Sequence, residues 1–317
     1  MKRRAIQALP ALAIVVLLAS CVYSPKIIEI NSLSPASQMA EETPPLDSEG
    51  PDALGESPEP PAASGGDTIA QRLLPPTGYV RINAPAESFQ SFLRNYALKP
   101  SGSPVLAYDG TERANAGAAA VLKVDLGQKN HEGPAGAVLR LAAEYLFEQS
   151  RFSRISFTLG TQFDFSFDTW AEGKTLQVDG NSVKWVSGGD SGSGRDNFTR
   201  YLQTLFRYVS VDTLKKDMTL IEDAEISPIE AGDIFLGVDA NGKPVCAMVA
   251  DLVSAGAGGG RAMLLLEGGL PAQEAHIVQN PGDSVLSPWY ECISEGKIQT
   301  PSAELDLSQR YRLKALS

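Results

Sequence analysis

The sequence predicts an α+β domain with a mostly antiparallel sheet, and three observations predict it. Segments with helical periodicity come early in the chain, a run of adjacent apolar strand segments comes late, and the connections between those strands are of hairpin length. Parallel strands would need long crossover connections, so short connections favour antiparallel pairing. The chain has 317 residues, of which 43% are hydrophobic, and this is enough for a packed core.

Three segments of this domain are predicted to be helical. The first follows Pro85 and places Phe89, Phe92 and Leu93 at helical spacing. The strongest helix begins near Pro134, because a proline in the first helical turn loses no hydrogen bond. Its apolar stripe consists of Val138, Leu141, Ala142, Tyr145 and Leu146. The third helix presents one apolar face, made of Phe198, Tyr201, Leu202, Leu205 and Val209.

The predicted strands are short apolar runs bounded by turn residues. The early runs are "SPVLAYDG", "AAAVLKVDLG" and "ISFTLG". The segment "TLQVDGNSVKWV" predicts a hairpin with Asp179 and Gly180 at its turn. The C-terminal third is mostly β, and its runs are "DIFLGV", "PVCAMVADLV", "RAMLLLEGG" and "EAHIVQ".

The first twenty residues, "MKRRAIQALPALAIVVLLAS", predict a secretory signal peptide (1–20). Basic residues precede an apolar run of about 16 residues, which is shorter than the ~20 residues of a spanning helix. The following "LASC" resembles the bacterial lipoprotein box, which implies cleavage before Cys21 and lipid attachment to that cysteine. The alternative is a chance cysteine after an ordinary signal. A lipid on Cys21 would anchor the protein to a membrane of the bacterial envelope, with its domain outside the cytoplasm.

Residues 21–76 predict a lipidated N-terminus followed by a disordered linker, and residues 77–317 predict a single globular domain. From Asn31 to Pro76 the chain is rich in Pro, Ser, Glu and Gly and has no aromatic residue. Such a segment buries too little apolar surface to offset the entropy of ordering it. We therefore expect an extended stalk between the membrane and the domain.

Charge and composition exclude several classes of partner. The formal net charge is -11, and nucleic-acid binding needs a basic surface instead. The chain has two histidines, His131 and His276, and no ligand-like spacing of histidines and cysteines, so we expect no metal and no cofactor.

Six stretches together resemble an uncharacterised bacterial family, the domain of unknown function 4846 family. The resemblance rests on their order and spacing between about Thr77 and Pro301. The stretches are "LKPSGSPVLAYDG", "AVLRLAAEYLF", "NFTRYLQTLF", "GDIFL", "LPAQEAHIVQNP" and "LSPWY".

Typical members of that family look similar to papain-like hydrolases of the group that includes cell-wall endopeptidases. The resemblance implies a papain-like core with N-terminal helices packed on the sheet. It also implies a cysteine at the start of the Arg-Leu-rich helix and a histidine on the strand after "GDIF". In this sequence Pro134 stands about where the cysteine would be, and Val245 about where the histidine would be. Neither side chain can attack a carbonyl or accept a proton.

Few residues remain as site candidates. His276 with Cys246 or Cys292 is a weak catalytic pair, although Cys246 also fits a buried core thiol. A disulfide between Cys246 and Cys292 is the other role open to these cysteines. Glu267, Gln273 and His276 are candidates for ligand binding. Gln273 and His276 lie in the family-like stretch "LPAQEAHIVQNP", whereas Glu267 is an acid at the end of an apolar strand, where the family tends to have a glutamine.

Three functions follow as hypotheses. The first is an anchored envelope protein whose degenerate, non-catalytic domain binds a peptide, a peptidoglycan fragment or a partner protein. The second is a cysteine-type amidase or peptidase that acts on cell-wall peptides with relocated catalytic residues. The third is an envelope scaffold in which the acidic stalk is the functional element.

Overall fold

The computed structural model describes residues 67–317 except 115, 161, 181, 223–227 and 257–258. The predicted signal peptide, Cys21 and most of the predicted linker lie outside these residues. Among the described residues, no helix is both long enough and apolar enough to cross a membrane.

The helices of the described part are short, except for two. Thr68, Ser88, Ser166 and Ser210 each cap a helix by accepting a backbone N–H, as short polar residues at this position commonly do. The helices are α1 Ile69–Arg72, α2 Phe89–Arg94, α3 Pro134–Glu148, α4 Phe167–Ala171, α5 Arg195–Phe206 and α6 Val211–Leu214. The 3₁₀ helices are Phe152–Arg154, Lys215–Asp217 and Lys314–Leu316.

The strands are concentrated in the C-terminal half of the chain. In chain order they are β1 Val80–Arg81, β2 Ala118–Val121, β3 Ser156–Leu159, β4 Phe163–Ser166, β5 Glu172–Asp179, β6 Ser182–Ser191, β7 Met218–Leu220, β8 Asp233–Asp239, β9 Pro244–Ser254, β10 Arg261–Gly269, β11 Gln273–Val278, β12 Trp289–Glu291, β13 Lys297–Gln299 and β14 Ala303–Leu313.

Ten of these strands form one antiparallel sheet, and this confirms the predicted α+β class. Its main order is β13-β14-β8-β9-β10-β11-β2, while β1 pairs with β9, β12 with β10 and β7 with β14. The pairs β3-β4 and β5-β6 form separate two-stranded sheets.

Strand alternation divides the core between the two faces of the large sheet. The helix-side cluster includes Cys246, Met248, Leu264 and Leu266, and it is continuous with the buried residues of α3. The far-side cluster comprises Ile229, Phe235, Val245, Ala247, Val249, Leu252, Met263, Leu265, Val278, Tyr290, Ala303, Leu305 and Leu307. Each face therefore has its own apolar layer.

The large sheet curls into a half-barrel. The Ser302 hydroxyl, just before β14, donates a hydrogen bond to the Glu267 carboxylate on β10, although β8 and β9 lie between these strands. In a flat sheet three strand spacings would separate them by ~14 Å. Gly237 on β8 pairs with Leu305 on β14, and an added Cβ at Gly237 would lie 2.9 Å from the Glu304 carbonyl oxygen. A side chain at this position would prevent the close approach of β14.

Helix α3 is the central helix and packs against β9 and β10. Twelve of its fifteen residues are buried, including the whole stripe predicted from the sequence. Gly268 on β10 allows this contact, because an added Cβ there would lie 2.6 Å from the Ala137 Cβ. The start of α3 is thereby fixed beside the end of β10.

The structure corrects three sequence predictions about elements. The segment "SPVLAYDG" forms no strand and is held by single bridges, Leu106 to Glu112 and Ala107 to Gln273. Helix α5 ends at Phe206, before Val209. Residues 67–76, which the sequence places in the linker, pack against the domain: Ile69 is fully buried, and the Leu74 carbonyl accepts a hydrogen bond of 2.9 Å from the Trp289 indole.

Candidate functional site

A cleft of about 300 Å³ lies at one end of the half-barrel, where α3 begins and β10 ends. Both Pro134 and Val245 line it. The remaining lining residues are Glu112, Arg113, Ala114, Ala116, Asp239, Lys243, Pro244, Glu267, Gly268, Gly269, Leu270, Gln273, His276 and Ser302.

Glu267 is the buried acid of the cleft. It continues the far-side alternation of Met263 and Leu265 along β10, and only 1% of its surface is exposed. Ser302 donates a hydrogen bond to its Oε2, whereas its Oε1 has no hydrogen-bond partner among the described residues. Burial raises the pKa of the Glu267 carboxyl, and the hydroxyls of Ser302 and Thr300 oppose this rise. One buried carboxyl oxygen is therefore left for another partner.

His276 is paired directly with Glu267 across β10 and β11 and is buried on the same face. Its Nδ1 lies 2.9 Å from the Glu274 carbonyl oxygen. Since a carbonyl oxygen can only accept, Nδ1 carries the proton of the neutral ring. Burial lowers the pKa of His276, and hydrogen bonding to the backbone of Glu274 and Ala116 opposes this effect. The ring is thus held neutral and fixed to the backbone.

The rim of the cleft is polar. The Arg113 Nε donates a hydrogen bond of 3.1 Å to the Gln273 Oε1, which joins the segment around Arg113 to the start of β11. Asp239 uses its Oδ1 within its own turn, where it accepts the backbone N–H groups of Asn241 and Lys243 at 2.8 Å. These backbone hydrogen bonds lower the pKa of Asp239, so this rim carboxylate is ionised.

Neither thiol of the domain is joined to the histidine. Cys246 lies on the helix side of the sheet, opposite Val245, and Cys292 packs against the far-side cluster just after β12. In the described part of the chain, no hydrogen bond connects either sulfur with His276. Burial raises the pKa of each thiol to about 12, with the charge of Glu267 contributing at Cys246. Both cysteines are free, so the alternative of a disulfide between them is wrong.

The three ligand-binding candidates, Glu267, Gln273 and His276, all line the cleft. Sequence reasoning missed Arg113, Lys243 and Ser302. Arg113 and Ser302 come from irregular segments that leave no periodic signal, and Ser302 reaches the cleft through the curl of the sheet. The only sequence signal near Arg113 is the family-like stretch "LKPSGSPVLAYDG", which ends three residues before it.

The raised pKa of Glu267 predicts a measurable pH dependence of stability. The unfolded chain loses this proton near the ordinary value of 4.5, whereas the folded chain keeps it to higher pH. The folded state therefore binds more protons in this window, and the free energy of unfolding falls as the pH rises from about 4.5 through the folded pKa. The slope contributed by one group is at most about 1.4 kcal/mol per pH unit.

Glu267→Gln removes this contribution and leaves that of His276 in place. We expect the difference in the free energy of unfolding, variant minus wild type, to increase between pH 5 and 8. Urea denaturation at each pH measures this difference. Glu112→Gln, at an exposed acid on the rim, serves as the control and should run parallel to the wild type. Parallel curves for the wild type and Glu267→Gln would show that the acid is not perturbed.

Residues 69–312 match the family described as "Domain of unknown function (4846)". No curated protein and no protein of solved structure matches the chain. The match includes every residue that lines the cleft.

Proposed function

Because the chain belongs to the domain of unknown function 4846 family, whose description states no activity, we propose a function from the cleft itself. The domain binds a peptide chain in the cleft and does not cleave it. This peptide chain can be a free peptide, the peptide part of a peptidoglycan fragment or a segment of a partner protein. In each case the cleft binds the same chemical group, a peptide chain.

One observation carries this proposal: Pro134 and Val245 both line the cleft. If the family resembles papain-like hydrolases, these are the positions of the nucleophile and the base. A papain-like reaction needs a thiolate beside the helix N-terminus and an imidazole within hydrogen-bond reach of it. The cleft retains the shape of a binding site, while these two side chains can supply neither group.

The lining supports binding of a polar, extended ligand. Backbone and side-chain donors and acceptors occur around the whole cavity, and a buried carboxyl oxygen remains free within it. A cavity of about 300 Å³ is at the small end of the range for ligand sites, so it accommodates only a few residues of a peptide.

The second hypothesis, a hydrolase with relocated residues, receives less support. Both thiols have pKa values of about 12, which leaves almost no thiolate at neutral pH. Cys246 belongs to the helix-side cluster, whereas His276 is paired with Glu267, which lies on the far side of the sheet. The thiol and the imidazole are therefore on opposite faces of the sheet.

We further propose that the domain is held at a membrane of the bacterial envelope by a lipid on Cys21. The basic start, the apolar run and the "LASC" sequence support this proposal. Two or more acyl chains give stable anchoring, whereas one chain gives only marginal binding.

The function is tested by incubating the full-length chain with soluble peptidoglycan fragments and with defined tripeptides. We expect binding in a titration and no hydrolysis products by mass spectrometry. Pro244→Trp places an indole in the cleft and should weaken binding at least tenfold, while Val285→Trp, at an exposed position outside the cleft, should not. Peptide hydrolysis that His276→Ala or a cysteine-to-alanine variant abolishes would refute the proposal and favour the hydrolase hypothesis.

A further inference from the structure

The free oxygen of Glu267 is unusual because nearly all buried polar atoms have hydrogen-bond partners. The Glu267 Oε1 has none among the described residues, although the residue is almost completely buried and lines the cleft. A buried carboxylate without a cation is strongly destabilised, so this arrangement is costly unless something else binds there.

In the described part of the chain, no basic side chain is close enough to affect the pKa of Glu267. The nearest titratable groups are His276 on β11 and Tyr290 on β12, and Cys246 on β9 lies on the opposite, helix side of the sheet. Burial lowers the pKa of His276 and raises those of Cys246 and Tyr290, so all three are uncharged near neutral pH. The other contacts of the carboxyl are the hydroxyls of Ser302 and Thr300. The groups in immediate contact with Glu267 are therefore uncharged.

The cleft as a whole has an excess of acid. Its ionisable lining residues, apart from the neutral His276, are Glu112, Asp239 and Glu267 against Arg113 and Lys243. An ionised Glu267 thus leaves one uncompensated negative charge in the cleft. A ligand that brings a carboxylate to this position would increase the imbalance, and a ligand that brings a single positive charge would remove it.

We propose that Glu267 is the anchor of the site and that its Oε1 binds a primary ammonium group of the peptide ligand. The ammonium donates to Oε1 and supplies the positive charge that the surrounding side chains lack. The group can come from a peptide amino terminus or from an amine-bearing side chain. This inference rests on the proposed peptide-binding function and specifies which chemical group of the peptide the cleft recognises.

Ammonium binding favours the ionised form of Glu267, whereas the empty cleft favours the protonated form. Binding should therefore tighten as the pH rises from 5 to 7, because ionised Glu267 becomes more abundant while a peptide amine, with a pKa of about 7.7–8.0, stays mostly charged.

The test uses calorimetric titration of the full-length chain in detergent with two matched pairs of probes. The first pair is trialanine and its N-acetylated form. The second pair is Nα-acetyl-lysine amide and the same compound acetylated on Nε. We expect only free-amine probes to bind tightly, and the pair that shows the larger difference identifies the source of the amine.

Glu267→Gln keeps the size of the side chain and an acceptor for Ser302 but removes the negative charge. Loss of one member of a buried charge pair corresponds to at least about 30-fold weaker binding, and the pH trend should disappear. Glu295→Gln makes the same change at an exposed acid outside the cleft and should alter binding less than about threefold. A thermal melt of each variant verifies that it is folded.

Equal binding of free and acetylated probes would overturn the amine anchor, and so would unchanged binding by Glu267→Gln. If the wild type binds free and acetylated probes equally and Pro244→Trp weakens the binding of both, peptide binding in the cleft stands and only the amine anchor fails. If neither these probes nor peptidoglycan fragments bind the wild type, both proposals fail.

Discussion

Replacing Arg140 by methionine is expected to destabilise the domain by about 3–5 kcal/mol, because it leaves buried carboxylates without their cation. The Arg140 Nε donates to Glu132 at 2.6 Å, its Nη1 lies 3.3 Å from Glu144, and its Nη2 donates to the Asp125 carbonyl at 2.9 Å. Glu132 is only 2% exposed. Methionine preserves the apolar part of the side chain, so the loss reports on the charge. Urea denaturation of the full-length chain measures it.

Arg195→Met provides the matched control on α5. The Arg195 side chain is 55% exposed and its distance to Glu148 is 4.0 Å, so the loss should stay below about 1 kcal/mol. The double variant Arg140→Met with Glu132→Gln should recover part of the stability, because it removes the stranded carboxylate as well. Equal losses for Arg140→Met and Arg195→Met would show that the buried network contributes little.

Replacing Cys21 by serine is expected to abolish stable membrane anchoring, because serine lacks the thiol that accepts the lipid. Each buried methylene contributes about 0.8 kcal/mol, so the loss of the acyl chains removes nearly all of the binding energy. The check is incorporation of a labelled fatty acid, with the intact mass of the protein and its partition between membrane and soluble fractions.

Cys292→Ser is the control for the lipid experiment, since Cys292 lies in the folded domain after β12 and should not affect labelling. A wild-type chain that takes up no fatty acid would contradict the anchor. The anchor and the binding cleft are independent proposals, because the cleft is formed entirely by residues from 112 to 302.

The sequence predicts the central sheet well, because its strands carry strong local signals. The predicted runs "DIFLGV", "PVCAMVADLV" and "RAMLLLEGG" are mainly apolar, and each forms a strand of the large sheet, as does most of the more polar run "EAHIVQ". Because side chains alternate along a strand, Val245 and Cys246 are predicted to face opposite sides of the sheet. The structure agrees: Cys246 belongs to the helix-side cluster and Val245 to the far-side cluster.

Features that depend on distant contacts could not be predicted. The strand β14 alternates apolar and polar residues over "AELDL", but the pattern breaks after Leu307, and its pairing with β8 is irregular between Leu305 and Arg310. The segment from Asp67 to Pro76 looks like a linker by composition, yet Arg72 donates to the Lys99 carbonyl and Leu74 accepts from Trp289. Conversely, "SPVLAYDG" has the composition of a strand, but its Leu106 N–H donates to the Glu274 side-chain carboxylate and not to a backbone carbonyl, and the segment makes only single bridges.

The bend of the sheet has a consequence for how the cavity is assembled. The contact between Ser302 and Glu267 completes one wall of the cavity. These two residues meet only when β14 pairs with β8 and the sheet curls. A variant in which this pairing is broken should therefore lose the cavity, and the proposed ligand binding with it, even where its α3 and β10 remain intact.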